Sequence, residues 1–213
     1  MNTHAELRRQ NAGTVLGDLD PYRIFAYAFG VPSLERFAWL SREDVQSAFD
    51  SLGKQLDMPR PLRERKGFAD SAEYEAAYLG LFEVGMPEPP VPLLESSHHR
   101  AIPAQQIVLD CVNFYSVLGL RHEGSAFPAD HLITQLEFLA AAKFARESIS
   151  DPERKSELLR LERDFLERHL LLWLPVALKK LERLGPPLFP RLLSLTHELM
   201  RNELESLQES GTP

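Results

Sequence analysis

Apolar residues recur along most of the chain at intervals of three and four, the spacing that places them on one face of an α-helix. No segment alternates apolar and polar residues in the manner of a half-buried β-strand. The pattern predicts an all-α fold: one single-domain helical bundle over residues 1–213, with roughly seven to nine helices once short turns are counted. Residues 1–17 and 208–213 are expected to fray.

Capping residues and prolines mark where these helices are expected to begin. The expected starts are Asp20, Ser41 with Asp44, Asp70 with Glu73, Pro103, Pro128 and Asp151. The helix from Pro128 is expected to run to Ile149. The helix that follows is expected to turn these side chains inward: Leu158, Leu161, Phe165, Leu172 and Val176.

Two segments interrupt the helical pattern. Pro59–Gly67 is a basic loop, and Gly85–Pro103 is a long, proline-rich one. Long loops without a helix of their own are usually functional or disordered. Because proline stiffens the second loop, we expect it to hold a fixed surface shape.

Composition narrows the possible functions. The net charge of −7 argues against a nucleic-acid binder, which needs a basic face, and permits a basic peptide as partner. The single cysteine, Cys111, excludes an internal disulfide and fits a reducing compartment. No apolar run is long enough to span a membrane, and no apolar segment follows Arg8-Arg9 as an export signal requires. A soluble, cytoplasmic protein is therefore expected.

Several short motifs occur in a fixed order. Leu81-Phe82 comes first, followed by the loop Gly85–Pro92 and then Glu95-Ser96. The segment Phe127–Leu132 contains Asp130-His131 behind a proline, and His169-Leu170 precedes Trp173-Leu174-Pro175. This ordered set resembles the TorD/DmsD/NarJ family of molybdoenzyme maturation chaperones. It is most similar to the branch that serves type II dimethylsulfoxide-reductase-like enzymes.

The resemblance implies a TorD-like bundle and a system-specific cytoplasmic chaperone that is not an enzyme and holds no cofactor. Its partner would be the immature, cofactor-free catalytic subunit of a dimethylsulfoxide-reductase-family molybdoenzyme, together with that subunit's twin-arginine leader. Helix-swapped dimers occur in the family, so a monomer and a dimer both remain open. The residues implied to bind client or leader are Tyr78, Leu81, Phe82, Gly85, Pro87, Pro89, Pro90, Pro92, Glu95, Ser96, Asp130 and His131. Leu94, His98 and Phe127 depart from the family pattern.

The same residues also have simpler interpretations. Tyr78, Leu81 and Phe82 at helical spacing are more often core than binding groove. Asp130 in a first helical turn would complement the helix dipole, with His131 at the surface. The resemblance, in contrast, implies that this helix end and the loop line a groove for the apolar region of the leader, which requires an exposed leucine and phenylalanine.

Two other functions compete with the chaperone. A helical adaptor would bind a folded partner and no leader peptide. A metal-dependent hydrolase would use Asp130 and His131 with the Glu95–His99 loop, whose carboxylate-x-x-His spacing suits a helix better than a proline-rich loop. His169 is interpreted as a hydrogen-bonded core residue and Cys111 as inert core. No nucleotide-binding or nucleophile motif is present.

Overall fold

The computed structural model describes residues 20–58, 67–99 and 101–210, and these contain nine α-helical spans. The spans are α1 Pro21–Ala28, α2 Leu34–Ser41, α3 Glu43–Gln55, α4 Ser71–Tyr78, α5 Ala104–Val117, α6 Leu132–Ser148, α7 Pro152–Phe165, α8 Leu171–Leu184 and α9 Leu188–Ser210. A π-helical turn, Leu166–Leu170, joins α7 and α8 into one continuous helix, so eight separate helices result. The described residues form no β-strand beyond one isolated bridge, which confirms the all-α prediction.

The helix boundaries match the expected caps in part. The Asp70 carboxylate accepts the Glu73 N–H at 2.9 Å and so caps α4. The Glu73 carboxylate accepts the Ala69 N–H, one residue before the N-cap, at 2.6 Å. The pattern of Ser41 with Asp44 resembles a capping box, but that predicted cap is wrong, because Ser41 ends α2 and its hydroxyl donates to the Phe37 carbonyl. Helix α2 itself was not predicted.

The start predicted for the helix of residues 128–149 is also wrong. Residues 129–130 form a turn, and α6 begins at Leu132 with His131 as its N-cap. Asp130 therefore precedes the first helical turn. The basic segment of residues 59–66 and residues 1–17 lie outside the described residues, whereas 208–210 continue α9.

The residues of α8 that are buried differ from those that the apolar stripe of the sequence predicts. Leu172 and Val176 were expected inward but are 51% and 42% exposed. The π-helical turn accommodates an extra residue, which rotates the following helix relative to a regular 3.6-residue repeat. Trp173, Leu174 and Ala177 consequently face the core.

The buried apolar side chains form one contiguous core. Helix α1 packs on α6, α6 packs on α7, and α9 packs along α8. No helix within residues 20–58, 67–99 and 101–210 is long and apolar enough to cross a membrane.

Candidate functional site

The structure joins the end of the proline-rich loop to the start of α6. The Leu132 N–H donates to the Leu93 carbonyl at 2.9 Å, and the Glu95 N–H donates to the Asp130 carbonyl at 3.0 Å. An isolated antiparallel bridge pairs Leu94 with His131. These backbone bonds connect segments that lie more than thirty residues apart in sequence, so the predicted Glu95-Ser96 and Asp130-His131 motifs are neighbours.

Asp130 is buried and bonded within the protein. Its carboxylate accepts the Ser96 N–H at 3.1 Å, and its side chain is 2% exposed. A carboxylate in this position satisfies a backbone donor that the short loop helix Glu95–His98 cannot satisfy. Asp130 therefore supports the loop and is not presented to solvent.

His131 caps α6. Its Nδ1 accepts the Ile133 N–H at 3.2 Å, and its ring stacks on Phe127 with the centroids 4.5 Å apart. Burial lowers the pKa of His131 to about 4, although the nearby Asp130 carboxylate opposes that shift. The imidazole is therefore neutral at pH 7, which leaves Nδ1 free to accept the capping hydrogen bond.

Glu95 lies at the centre of a buried polar network and is 2% exposed. Gln135 Nε2 donates to its carboxylate at 2.5 Å, and His169 Nδ1 donates to the same oxygen at 2.9 Å. His99 Nε2 lies 3.5 Å from the other carboxylate oxygen. Trp173 Nε1 donates to Gln135 Oε1 at 3.1 Å and so fixes the orientation of that amide. His169 is thus a hydrogen-bonded core residue, as predicted.

One cluster among the described residues brings together possible metal ligands: Glu95, Cys111 and His169, whose donor atoms lie within 4.8 Å of one another. Because Trp173 fixes the Gln135 amide, the N–H groups of Gln135 point into the cluster. The Gln135 Nε2 atom lies 2.5 Å from Glu95 Oε2 and 3.7 Å from the Cys111 sulfur. Those hydrogens would repel a cation. Burial raises the pKa of the Cys111 thiol, and the Glu95 charge adds to the shift. The arrangement fits an inert polar network better than a metal centre.

The side chains of the metal set considered from the sequence bind separate protein partners, although their segments are neighbours. His98 Nε2 donates a hydrogen bond to the Pro92 carbonyl at 2.8 Å, and the His98 ring stacks on Trp173. Burial lowers the pKa of His98 to about 4. His98 therefore supports the loop, and only His99 of this pair approaches Glu95.

The predicted apolar residues lie in the core. Tyr78, Leu81 and Phe82 are each at most 6% exposed, so the exposure that a groove would require is absent in this conformation. The Tyr78 hydroxyl donates to the Phe29 carbonyl at 2.8 Å. The Leu81 carbonyl accepts the Val91 N–H at 2.9 Å and closes the base of the loop.

The exposed part of the loop is its tip, residues 84–88, which we call the loop tip. Val84 is 64% exposed and Met86 is 98% exposed, and Pro87 and Pro90 also face solvent, whereas Pro92 is buried and Pro89 half-buried. A Cβ on Gly85 would lie 2.2 Å from the Glu88 carbonyl oxygen, so the tip requires glycine there. Sequence reasoning did not single out Val84 and Met86. The signal was present, because apolar residues flank a glycine between a helix end and a proline run.

Comparison with known proteins identifies relatives of the chain. It is 30% identical over 142 residues to the perchlorate reductase assembly chaperone protein of Dechloromonas aromatica (strain RCB), covering 63% of this chain and 62% of that protein. It is 35% identical over 111 residues to the selenate reductase assembly chaperone protein of Thauera selenatis, covering 51% and 57%. The chlorate reductase assembly chaperone protein of Ideonella dechloratans gives the same identity and coverage.

These alignments span less than two thirds of each relative's own length. A family model covers more of the chain. Residues 41–178 match the model described as the nitrate reductase delta subunit, and this range contains the loop, the Asp130-His131 turn and the Glu95 network. Since the match extends over more than half of the sequence, the chain belongs to the nitrate reductase delta subunit family, within the TorD/NarJ group of molybdoenzyme chaperones.

Proposed function

We propose that the protein is a system-specific chaperone that binds the cofactor-free catalytic subunit of a molybdenum oxidoreductase and assists molybdopterin cofactor insertion. Membership of the family and the names of the relatives support a chaperone role without enzymatic activity. We infer that it acts in the cytoplasm, where an immature subunit resides before export or assembly.

The observation that carries the proposal is an exposed apolar loop tip fixed on a rigid base. Met86 is 98% exposed and Val84 is 64% exposed, so the tip presents adjacent apolar side chains to solvent, as an interaction surface does. Methionine adapts to many partner surfaces because its side chain is flexible and polarizable. The backbone bonds around Leu93 and Asp130 hold the base of the loop in place.

The residues implied by the family resemblance then divide into three groups by their exposure. Gly85, Pro87 and Pro90 belong to the exposed surface and would contact the client, with Val84 and Met86 added to them. The buried residues would act indirectly by holding the loop, and they are Tyr78, Leu81, Phe82, Pro92, Glu95, Asp130 and His131. Ser96 and Pro89 are half-buried at the boundary.

Release follows from mass action. A chaperone that binds only the immature subunit stabilises that state, and folding around the cofactor removes the surface to which it binds. No chemical step by the chaperone is required. The subunit's twin-arginine leader is a further proposed ligand, consistent with the net charge of −7.

The test is affinity capture from extracts of the protein's own host. Tagged wild type would be compared with the double variant Val84→Ser/Met86→Ser, and captured proteins would be identified by mass spectrometry. Leu184→Ser is the matched control, because Leu184 is 60% exposed on α8. We expect wild type and Leu184→Ser to recover one large molybdopterin-type subunit without cofactor, and the double variant to lose it.

Two results would contradict the proposal. Recovery of a folded, cofactor-loaded partner of another class would favour the helical adaptor. If the double variant recovered as much of the subunit as the wild type does, the loop tip would not be the contact surface.

A further inference from the structure

A cleft of about 440 Å³ opens between the end of α2, the start of α3, residues 67–68 and the start of α9. Its apolar lining includes Phe37, Leu40, Phe68 and Leu188. This volume accommodates a large side chain together with part of the backbone that bears it. No part of the function proposed above uses this cleft.

The apolar wall of the cleft is preformed. The rings of Phe37 and Phe68 pack on Tyr74, with centroids 5.8 and 5.5 Å apart. Phe68 and Tyr74 in turn pack on Phe189, and the ring of Phe189 packs on that of Phe82 with the centroids 5.1 Å apart. A wall built from mutually packed aromatic rings loses little conformational freedom when a ligand enters, which favours binding.

Among the described residues that line the cleft, one acidic side chain forms no ion pair. The Arg191 guanidinium donates to Gln46 Oε1 at 2.6 Å and to Asp50 Oδ1 at 2.5 Å, so its charge is matched by a carboxylate. Glu43 is exposed at the start of α3 and forms no ion pair with another described residue. The cleft therefore presents an apolar cavity beside a negative charge. A ligand of complementary chemistry carries a large apolar side chain next to a basic residue.

We propose that the cleft holds such a segment, an apolar residue adjacent to lysine or arginine, from the mature part of the cofactor-free client subunit. This inference rests on the function proposed above. A segment of the mature subunit becomes buried when that subunit folds around its cofactor, whereas a leader stays unfolded throughout. Only the mature segment couples occupation of the cleft to the folding state of the client.

The test measures the affinity of the captured subunit, expressed cofactor-free and without its leader, for four forms of the protein. Ser41→Trp fills the cleft from its exposed edge, and Glu43→Lys reverses the charge at its rim. Glu35→Lys is the matched control, because Glu35 is an exposed acid in the first turn of α2 as Glu43 is in the first turn of α3. Circular dichroism would verify that each variant is folded.

We expect Ser41→Trp to weaken binding by at least about tenfold and Glu43→Lys by about three- to tenfold, with Glu35→Lys within about twofold of wild type. If Ser41→Trp fails to fold, the comparison of Glu43→Lys with Glu35→Lys still decides the question. If both cleft variants bound the subunit with wild-type affinity, the cleft would not be a binding site for the client, while the chaperone function would remain intact. Binding by the wild type only when the leader is present would assign the ligand to the leader and overturn the proposal. Failure of the wild type to bind either form of the subunit would instead refute the function itself.

Discussion

Removing the Glu95 carboxylate provides the sharpest test of the polar network. In Glu95→Leu, the N–H donors of Gln135 and His169 lose their acceptor while they remain buried. Each buried donor left unsatisfied costs about 1–3 kcal/mol, and this substitution leaves two of them. We therefore expect the free energy of unfolding to fall by about 3 kcal/mol. For a protein of this size that corresponds to a decrease in Tm of about 6–12 °C.

Glu95→Gln should cost much less, about 1 kcal/mol, because one carbonyl oxygen can accept both hydrogen bonds that now converge on a single carboxylate oxygen. The assay is urea unfolding followed by circular dichroism. Glu182→Leu serves as the control, since Glu182 is exposed on α8, and it should change stability by less than about 0.5 kcal/mol. If Glu95→Leu matched this control, the network would not stabilise the fold and the reasoning would be refuted.

Two further predictions concern the capping histidine and the loop tip. Burial lowers the pKa of His131 to about 4 from its usual 6.5, so the unfolded chain binds the proton more strongly than the folded protein does. The free energy of unfolding should therefore decrease as the pH falls from about 6.5 to 4, by up to roughly 1.4 kcal/mol per pH unit. His131→Asn keeps an N-cap acceptor without a titrating group, and urea unfolding across this range should show a shallower loss for the variant; an unchanged slope would contradict the assignment. Gly85→Ala places a Cβ 2.2 Å from the Glu88 carbonyl oxygen and should reduce client capture, measured as the yield of the co-purified subunit. Gly80→Ala is the control, because its Cβ would meet nothing within 4 Å, and it should capture as much of the subunit as the wild type does. Equal yields from the two variants would show that the shape of the loop tip does not matter for capture.

The sequence by itself determined the fold class, because helical periodicity and capping are local. Asp70 with Glu73 could be identified as a helix cap from their spacing alone, and the structure contains that cap. His169 could be placed in the core by its position on an apolar stripe. The ordered motifs likewise indicated the family before any contact was known.

The tertiary structure decided what each polar residue contacts. His169 pairs with Glu95, seventy-four positions away, and no local pattern identifies a partner at that separation. The sequence pattern predicts Leu172 in the core, but a π-helical turn rotates the following helix and leaves Leu172 exposed. Tertiary packing determines whether such a turn forms, and the periodicity of the sequence does not reveal it. Asp130 was expected at a binding surface, yet the loop folds back over it so that the Ser96 N–H has an acceptor. Burying a carboxylate is favourable only when such donors converge on it, and only the assembled chain brings them together.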